Sequence, residues 1–506
     1  MSGVIVETTY GPVRGFTAHG VRQWRGIPYA KPPVGSRRFQ PPEPPDPWGE
    51  VKSAFSFGPA SLQAEDQTLA NLVGASKLPE SEDCLYLNIW APADGGQHPV
   101  MVWIHGGAYT GGSGSINWYD GTAFAHHGVV LVTINYRLGA LGFLYLGELF
   151  GPAFARSANL GLQDQVAALR WVKENIAAFG GDPNRITIFG ESAGAGSVAT
   201  LLTVPSARGL FHQAVMQSGS GALGVRTPDE ALAFTHRFLS ALGVAPGDAG
   251  TLLSLPGERF VAAAAALAEP GLPFGPVVDG QFLPQHPIAA LADGAAPGIP
   301  VILGVTRDEF NLFLAGDPAW WQADEPVLRQ RLRAFDPALP ERVLDHYLAR
   351  RQPREPAAKL SALLTYRVFV DPMLTTADIL ASRGNRVWMY RFDWASPVLE
   401  GRLGACHAME IPFVFHNLQQ AGVERFTGDS PARQPIADQM HQAWVAFAKT
   451  GDPNHPGGPA WPAYDLSRRA LLAFGPETHV EEDPYGPERV VWRPAAPASG
   501  GPQVNA

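Results

Sequence analysis

The sequence predicts an α/β fold: a large, mostly parallel central sheet with helices on both faces and a small antiparallel sheet at the N-terminus. Three observations carry this. Short apolar runs at 100–104, 129–134, 186–189, 214–216, 300–305 and 387–392 are interleaved with longer stretches of helical spacing, as a sheet wrapped by its crossover helices requires. The pentad Gly190-Glu191-Ser192-Ala193-Gly194 stands between an apolar run and a small-residue stretch, so a strand passes into a helix at a serine. A glycine pair, Gly106-Gly107, follows directly on the 100–104 run.

The elements follow in order. Val4-Ile5-Val6 and residues 13–16 flank a Gly11-Pro12 turn and read as two antiparallel edge strands. A proline-rich loop runs through 31–35 and 41–47, and residues 61–80 carry no period and read as surface cover. The segment 81–90 ends in alternating apolar residues and reads as a strand, followed by buried strands at 100–104 and 129–134. Leu162, Val166, Leu169, Val172 and Ile176 recur at helical spacing, and Gly180-Gly181 stops that helix. After the serine strand and its helix, 214–216 is the next strand. The alanine-rich stretch 220–300 reads as helical, 300–305 as a buried strand ending in Thr306-Arg307-Asp308-Glu309, and 318–382 as helical with Trp320 and Trp321 near its start. The run 387–392 is another strand, and Ile436, Met440, Trp444 and Phe447 mark a late helix that stops at Gly451-Asp452-Pro453. No linker cuts the chain, so 1–492 is expected to be a single domain with helical insertions at 220–300 and 318–382. The tail 493–506, built of Pro, Ala, Gly and Ser, is expected to be disordered.

Bulk properties exclude several classes. The 506 residues carry a formal net charge of −9 and no long basic run, which argues against nucleic acid and anionic membrane as partners. The alanine tract at 261–268 is far too short to span a bilayer. The N-terminus lacks the basic and apolar regions of a signal peptide, and two distant cysteines, Cys84 and Cys406, make no disulfide framework. The expected location is the cytoplasm, the expected partner a small-molecule substrate, and the expected state a monomer or weak homo-oligomer. No H-x-x-x-H or paired-cysteine spacing occurs, no Gly-rich segment matches G-x-x-x-x-G-K-[ST], and no convincing G-x-G-x-x-G follows the first strand, so neither metal nor cofactor is expected.

The pentad matches G-x-S-x-G, a pattern that recurs by chance, but the strand before it and helix after it supply the context of a strained nucleophile turn. A serine hydroxyl needs a base, and the base an acid to orient it. Downstream, Asp308 and Glu309 follow a strand directly and both suit the acid. The histidines that follow are His407, His416, His441, His455 and His479. Position favours His407, in a loop after a strand, and reads His441 and His455 as surface residues. The Gly-rich loop His105-Gly106-Gly107-Ala108, with the amide of Ala193, is the candidate source of oxyanion donors. An ordinary imidazole base would give activity that climbs through about pH 6–7.

Several further motifs extend beyond the serine. Phe179-Gly180-Gly181-Asp182-Pro183 precedes it, and Glu82-Asp83-Cys84-Leu85-Tyr86-Leu87-Asn88 lies well upstream. Arg25-Gly26-Ile27-Pro28-Tyr29-Ala30, Asn135-Tyr136-Arg137-Leu138-Gly139 and Gly161-Leu162-Gln163-Asp164-Gln165 complete the set. Together they resemble the type B carboxylesterases, the cholinesterase-like branch of the α/β-hydrolases, and in particular the bacterial para-nitrobenzyl esterases. The resemblance runs from about Gly11 to Trp461.

It implies an α/β-hydrolase fold and a catalytic triad of Ser192, Glu309 and His407. Phe310 stands where the family commonly has Gly after the acid, and His407 precedes the Glu410-Ile411-Pro412-Phe413-Val414-Phe415 run. It implies an oxyanion hole of Gly107, Ala108 and Ala193. Ala108 replaces a frequent third Gly, and its methyl narrows the site against bulky tertiary-alcohol esters. It further implies two buried ion pairs, Arg38–Glu82 and Arg137–Asp164. Cys84 aligns with a cysteine that is disulfide-bonded in secreted animal relatives but has no earlier partner here, in keeping with a reducing compartment. Residues 61–83 hold no tryptophan, which separates the chain from the choline-binding members. The implied activity is hydrolysis of short- to medium-chain or aryl carboxylic esters through an acyl-enzyme. Amides, carbamates or lactones on the same triad are the alternative. A non-catalytic binding member is a further one, against which all three triad positions are filled. Trp320 and Trp321 are candidates for the entrance or for packing, and Glu191 is a candidate for tuning the field at the serine.

Overall fold

The computed structural model describes residues 3–64, 79–267, 271–350, 353 and 355–493. Thirteen strands among them form one sheet. They are β1 (Gly3–Thr8), β2 (Gly11–Ala18), β3 (Val21–Pro28), β4 (Lys52–Ser53), β5 (Tyr86–Pro92), β6 (His98–Ile104), β7 (Val130–Ile134), β8 (Gly181–Glu191), β9 (Gln213–Gln217), β10 (Val301–Thr306), β11 (Val387–Phe392), β12 (Ala470–Phe474) and β13 (His479–Glu482). The order across the sheet is β1-β2-β3-β5-β7-β6-β8-β9-β10-β11-β12-β13, with β4 beside β2. From β7 to β12 every pairing is parallel. Strands β1, β2, β3 and β5 pair antiparallel and continue the same sheet as its edge, with β4 parallel to β2.

The continuous apolar runs are the consequence of burial on both faces. Along β6, Val100, Val102 and Ile104 enter one core while Met101 and Trp103 enter the other. The same alternation splits Val301, Leu303 and Val305 from Ile302 on β10. The first core is completed by α2 (Leu160–Asn175) and α3 (Ala193–Leu201), through Leu162, Val166, Leu169, Val172 and Val198. The second is closed by α1 (Thr122–His126) and α4 (Arg433–Thr450), through Phe124, Met440, Trp444 and Phe447. Gly180 at φ 92 and Gly451 at φ 72 end the two segments that the sequence predicts to stop there.

The described residues of 220–300 include four helices, Pro228–Leu242, Ala249–Ser254, Gly257–Leu267 and Pro287–Ala292, with irregular chain at 271–286. The first begins in a Thr227–Glu230 capping box. The described residues of 318–382 are mostly helical, as expected, from Pro318–Trp321 to Asp371–Ser382. It passes through a π turn at Tyr366–Val370 just before Pro372, which lacks the N–H that would continue the ladder.

Some expectations change. His441 is completely buried rather than a surface residue, because its face of α4 packs on Phe124 and its Nδ1 bonds the Val414 carbonyl at 2.9 Å. Ser61 is buried rather than surface cover, while the expectation for 65–78 lies outside the described residues, as does the tail from 494. Trp320 and Trp321 donate their indole N–H groups to the Ala357 and Leu314 carbonyls and pack within the helical insertion. Strands β12 and β13 and the helix Gly486–Trp492 have no counterpart in the sequence reading. Among the described residues no helix is long and apolar enough to cross a membrane.

Candidate active site

The carboxyl ends of β6, β8, β9 and β10 meet at Ser192, the position at which parallel sheets present reacting groups. Ser192 is the residue between β8 and α3, with φ 56 and ψ −122. A non-glycine residue there is strained by about 1–3 kcal/mol and persists only because its surroundings fix it. Its N–H donates to the Gln217 carbonyl at 2.9 Å, and its carbonyl accepts from Gly196 N–H at 2.9 Å. The pentad glycine after it is required by close approach: a Cβ on Gly194 would lie 2.0 Å from the Ile104 carbonyl oxygen. The serine side chain remains half-exposed at the end of this turn.

Glu309 and His407 are brought together. Glu309 is fully buried at the end of β10. Its Oε1 accepts from Thr306 N–H at 2.8 Å, its Oε2 is 2.6 Å from His407 Nδ1, and its carbonyl accepts from His407 N–H at 3.2 Å. Asp308, the alternative acid, instead pairs with Arg307 at 2.9 Å and accepts from Ala405 N–H at 2.9 Å. The rings of Phe313 and Phe369 pack on the imidazole at 5.2 and 4.8 Å. Of the other histidines, His416 pairs with Asp438 at 2.6 Å and His441 with His127 at 2.9 Å.

The far side of the imidazole faces Glu191. His407 Nε2 lies 3.0 Å from Glu191 Oε1. This is an ionic approach without hydrogen-bond alignment, since Glu191 Oε1 has no hydrogen-bond partner. No hydrogen bond joins Ser192 Oγ to His407 in this structure; catalytic contacts of this kind often tighten only when substrate binds. Burial alone would lower the His407 pKa, but the carboxylates of Glu191 and Glu309 outweigh it and hold the pKa well above the ordinary imidazole value. The acid limb of any reaction that uses His407 as a base therefore moves up from pH 6–7.

A third buried carboxyl, Glu410, accepts from Gln217 Nε2 at 3.2 Å, and Gln217 Oε1 accepts from Trp444 Nε1 at 3.1 Å. Burial, then the charges of Glu191 and Glu309, push the Glu410 pKa up to about 8, so this group is protonated at neutral pH. Glu410 and Gln217 were not singled out from sequence; the glutamine at the end of a parallel strand beside the serine strand was the available signal. Cys406, next to His407, is a buried thiol whose pKa burial raises well above its ordinary value, with Glu309 and Asp308 adding to the effect. It packs and does not ionise.

The loop after β6 presents the third feature. Gly107, Ala108 and Tyr109 have φ of 110, 57 and 60, three consecutive residues in the left-handed half of the map. The amide N–H groups of Gly107, Ala108 and Ala193 donate to no acceptor among the described residues. His105 is buried with Nδ1 2.8 Å from the Gly106 carbonyl, and burial pushes its pKa down to about 4, so it anchors the loop as a neutral ring. Both expected ion pairs form. Arg38 and Glu82 meet at 2.5 and 2.7 Å, and Arg137 and Asp164 at 2.6 and 2.8 Å.

The whole chain has close relatives. A sequence model of the carboxylesterase family matches residues 2–492. The chain is 42% identical to the para-nitrobenzyl esterase of Bacillus subtilis (strain 168), over 97% of this chain and 98% of that one. It is 37% identical to the phenmedipham hydrolase of Pseudarthrobacter oxydans, over 96% and 98% of the two chains. Among solved structures, the carboxylesterase EST55 of Geobacillus stearothermophilus superposes with a TM-score of 0.89 at 54% identity, covering 97% of this chain and all of that one. Fold, serine turn and similarity over the full length agree: the chain belongs to the carboxylesterase family and is a hydrolase of carboxylic esters.

Proposed function

We propose that residues 1–492 act as one catalytic unit, with 220–300 and 318–382 as helical insertions over the site, and that Ser192, His407 and Glu309 are its triad. Ser192 Oγ attacks the ester carbonyl carbon while His407 Nε2 takes its proton, exchanging its approach to Glu191 for the serine. The carbonyl π electrons move to oxygen, which is held by the amides of Gly107, Ala108 and Ala193. Collapse breaks the bond to the alcohol oxygen, which leaves with the proton from His407. Water then attacks the acyl-enzyme by the same route and returns the proton to Ser192. Glu309 holds the tautomer with Nδ1 protonated, and the imidazolium forms between two carboxylates that stabilise it.

The observation that carries this reading is the buried Glu309–His407 contact of 2.6 Å, next to a serine held at φ 56. Relatives named para-nitrobenzyl esterase support aryl and short- to medium-chain esters as substrates. Similarity to a phenmedipham hydrolase supports carbamates as a second class, since a carbamoyl-enzyme forms and breaks by the same steps. The reading extends to a monomer or weak homo-oligomer in the cytoplasm, and the two free, buried thiols support the reducing compartment.

Hydrolysis of para-nitrophenyl acetate, butyrate and octanoate by wild type and Ser192→Ala tests it. The expected result is turnover that falls with chain length and drops about 10⁴-fold or more in the variant. Full turnover by the variant would overturn the assignment of Ser192.

A further inference from the structure

Gln63 lies 49 residues before Gly112 in the chain, in a stretch without sequence periodicity. Every hydrogen-bonding atom of its side-chain amide is used. Oε1 accepts from Gly112 N–H at 2.8 Å, and Nε2 donates to the Gly112 carbonyl and to the Ser61 carbonyl, each at 3.0 Å. Two donors and an acceptor placed this way define which side of the amide is oxygen and fix its plane. Gln63 is itself held: its N–H donates to Glu80 Oε2 at 3.3 Å, and the neighbouring Ser61 Oγ accepts from Leu138 N–H at 3.2 Å.

The backbone that Gln63 grips is the far end of the strained loop. The Gly107 carbonyl accepts from the N–H groups of Thr110 and Gly111, each at 2.9 Å, closing 107–111 into one turn. A Cβ on Gly107 would stand 2.2 Å from the Gly111 oxygen, so the two ends of that turn touch. Three consecutive positive φ angles lie inside it, and Gly107 and Ala108 have no hydrogen-bond acceptor of their own to hold their amides. Strain of this kind persists only where the surroundings over-determine it. Gln63 supplies such a constraint at Gly112, from a different part of the chain.

We propose that Gln63 is a positioning residue for the oxyanion amides: its two-point grip on the Gly112 backbone fixes the turn that aims the Gly107 and Ala108 N–H groups at the developing negative oxygen. The inference rests on the reading of those amides as the oxyanion donors. Gln63 acts through the loop, so its effect is confined to species that carry the oxyanion. Ground-state binding uses other groups.

The test compares wild type with Gln63→Ala and Gln63→Glu in the full chain. Gln63→Glu keeps the shape but sets a carboxylate oxygen against the Gly112 carbonyl. Two ligands of the same aryl group are measured: a trifluoromethyl ketone, whose hemiketal with a serine carries the oxyanion, and the matching secondary alcohol, which forms none. The expected result is a loss of about 10- to 100-fold in ketone affinity, matched in kcat/KM for para-nitrophenyl butyrate, with alcohol affinity and melting temperature unchanged. Ketone affinity that stays at the wild-type value in both variants would overturn the proposal. So would equal losses for ketone and alcohol, which mark a general structural role. A wild-type protein that binds the ketone no better than the alcohol would instead overturn the oxyanion reading itself.

Discussion

Two clusters of buried charge lie on this sheet, and they are built on opposite principles. In the first, Arg137 donates to Asp164 through Nε and Nη2, the Arg137 backbone N–H donates to the same carboxylate at 3.0 Å, and Nη1 donates to the Gln40 carbonyl at 2.8 Å. One cation meets one anion. In the second, a single imidazole stands between Glu309 and Glu191, and burial, then the charges of those two carboxylates, raises the pKa of Glu410. Glu191 Oε1 and Glu410 Oε2 lack hydrogen-bond partners. A charge-balanced pair with its hydrogen bonds filled serves geometry. A cluster with more carboxylates than cations, and acceptors left over, is poised to stabilise a proton that arrives. The comparison separates scaffold from site without reference to any substrate.

Glu309→Gln removes the carboxylate that holds His407 at Nδ1. The amide keeps the shape but donates where the carboxylate accepts, so His407 is left in the wrong tautomer. The account expects kcat for para-nitrophenyl butyrate to fall by about 10⁴-fold with folding intact by circular dichroism. A loss under tenfold would remove Glu309 from the triad.

Asp164→Ala probes the other cluster. It strands the Arg137 guanidinium in the core, and the expected cost is about 3–5 kcal/mol in a denaturant titration. Activity per folded molecule should be retained. A stable variant with lost activity would reverse the two roles.

Glu191→Gln produces the smallest change and sharpens the second cluster most. Glu191 is one of two carboxylates that raise the His407 pKa, and His407 must be neutral to act as a base. Removing that charge lowers the pKa, so the acid limb of kcat/KM should move to lower pH while the protein remains active. An unmoved or upward-shifted limb would show that Glu191 does not set the charge on His407.

The legibility of the chain divides along the same physical line. Strands β6, β7, β10 and β11 could be read because both their faces are largely buried, which keeps their runs mostly apolar. The serine turn was readable because a Cβ on Gly194 would stand 2.0 Å from the Ile104 carbonyl oxygen, so only glycine fits there. Position alone left Asp308 and Glu309 equal; the motif around Glu309 separated them, and in three dimensions they bond to different partners. His441 was misread because one histidine on an amphipathic helix carries no mark of which face it occupies. Gln63 left no signal either, since a side-chain amide that bonds a distant backbone has neither period nor motif. Strand β13 is short and forms the sheet edge, where burial imposes a weaker pattern, whereas β12 is a fully buried apolar run between β11 and β13 that the sequence reading passes over.

The central claim is that the strained serine is the nucleophile and that this charged cluster activates it. Incubation with an aryl para-nitrophenyl phosphonate, followed by peptide mass mapping, tests it most directly. The account predicts release of one equivalent of para-nitrophenol and a single phosphonyl adduct on Ser192, with labelling slowed as pH falls and His407 becomes protonated. An adduct on any other residue, or a folded protein that takes up none, would contradict it.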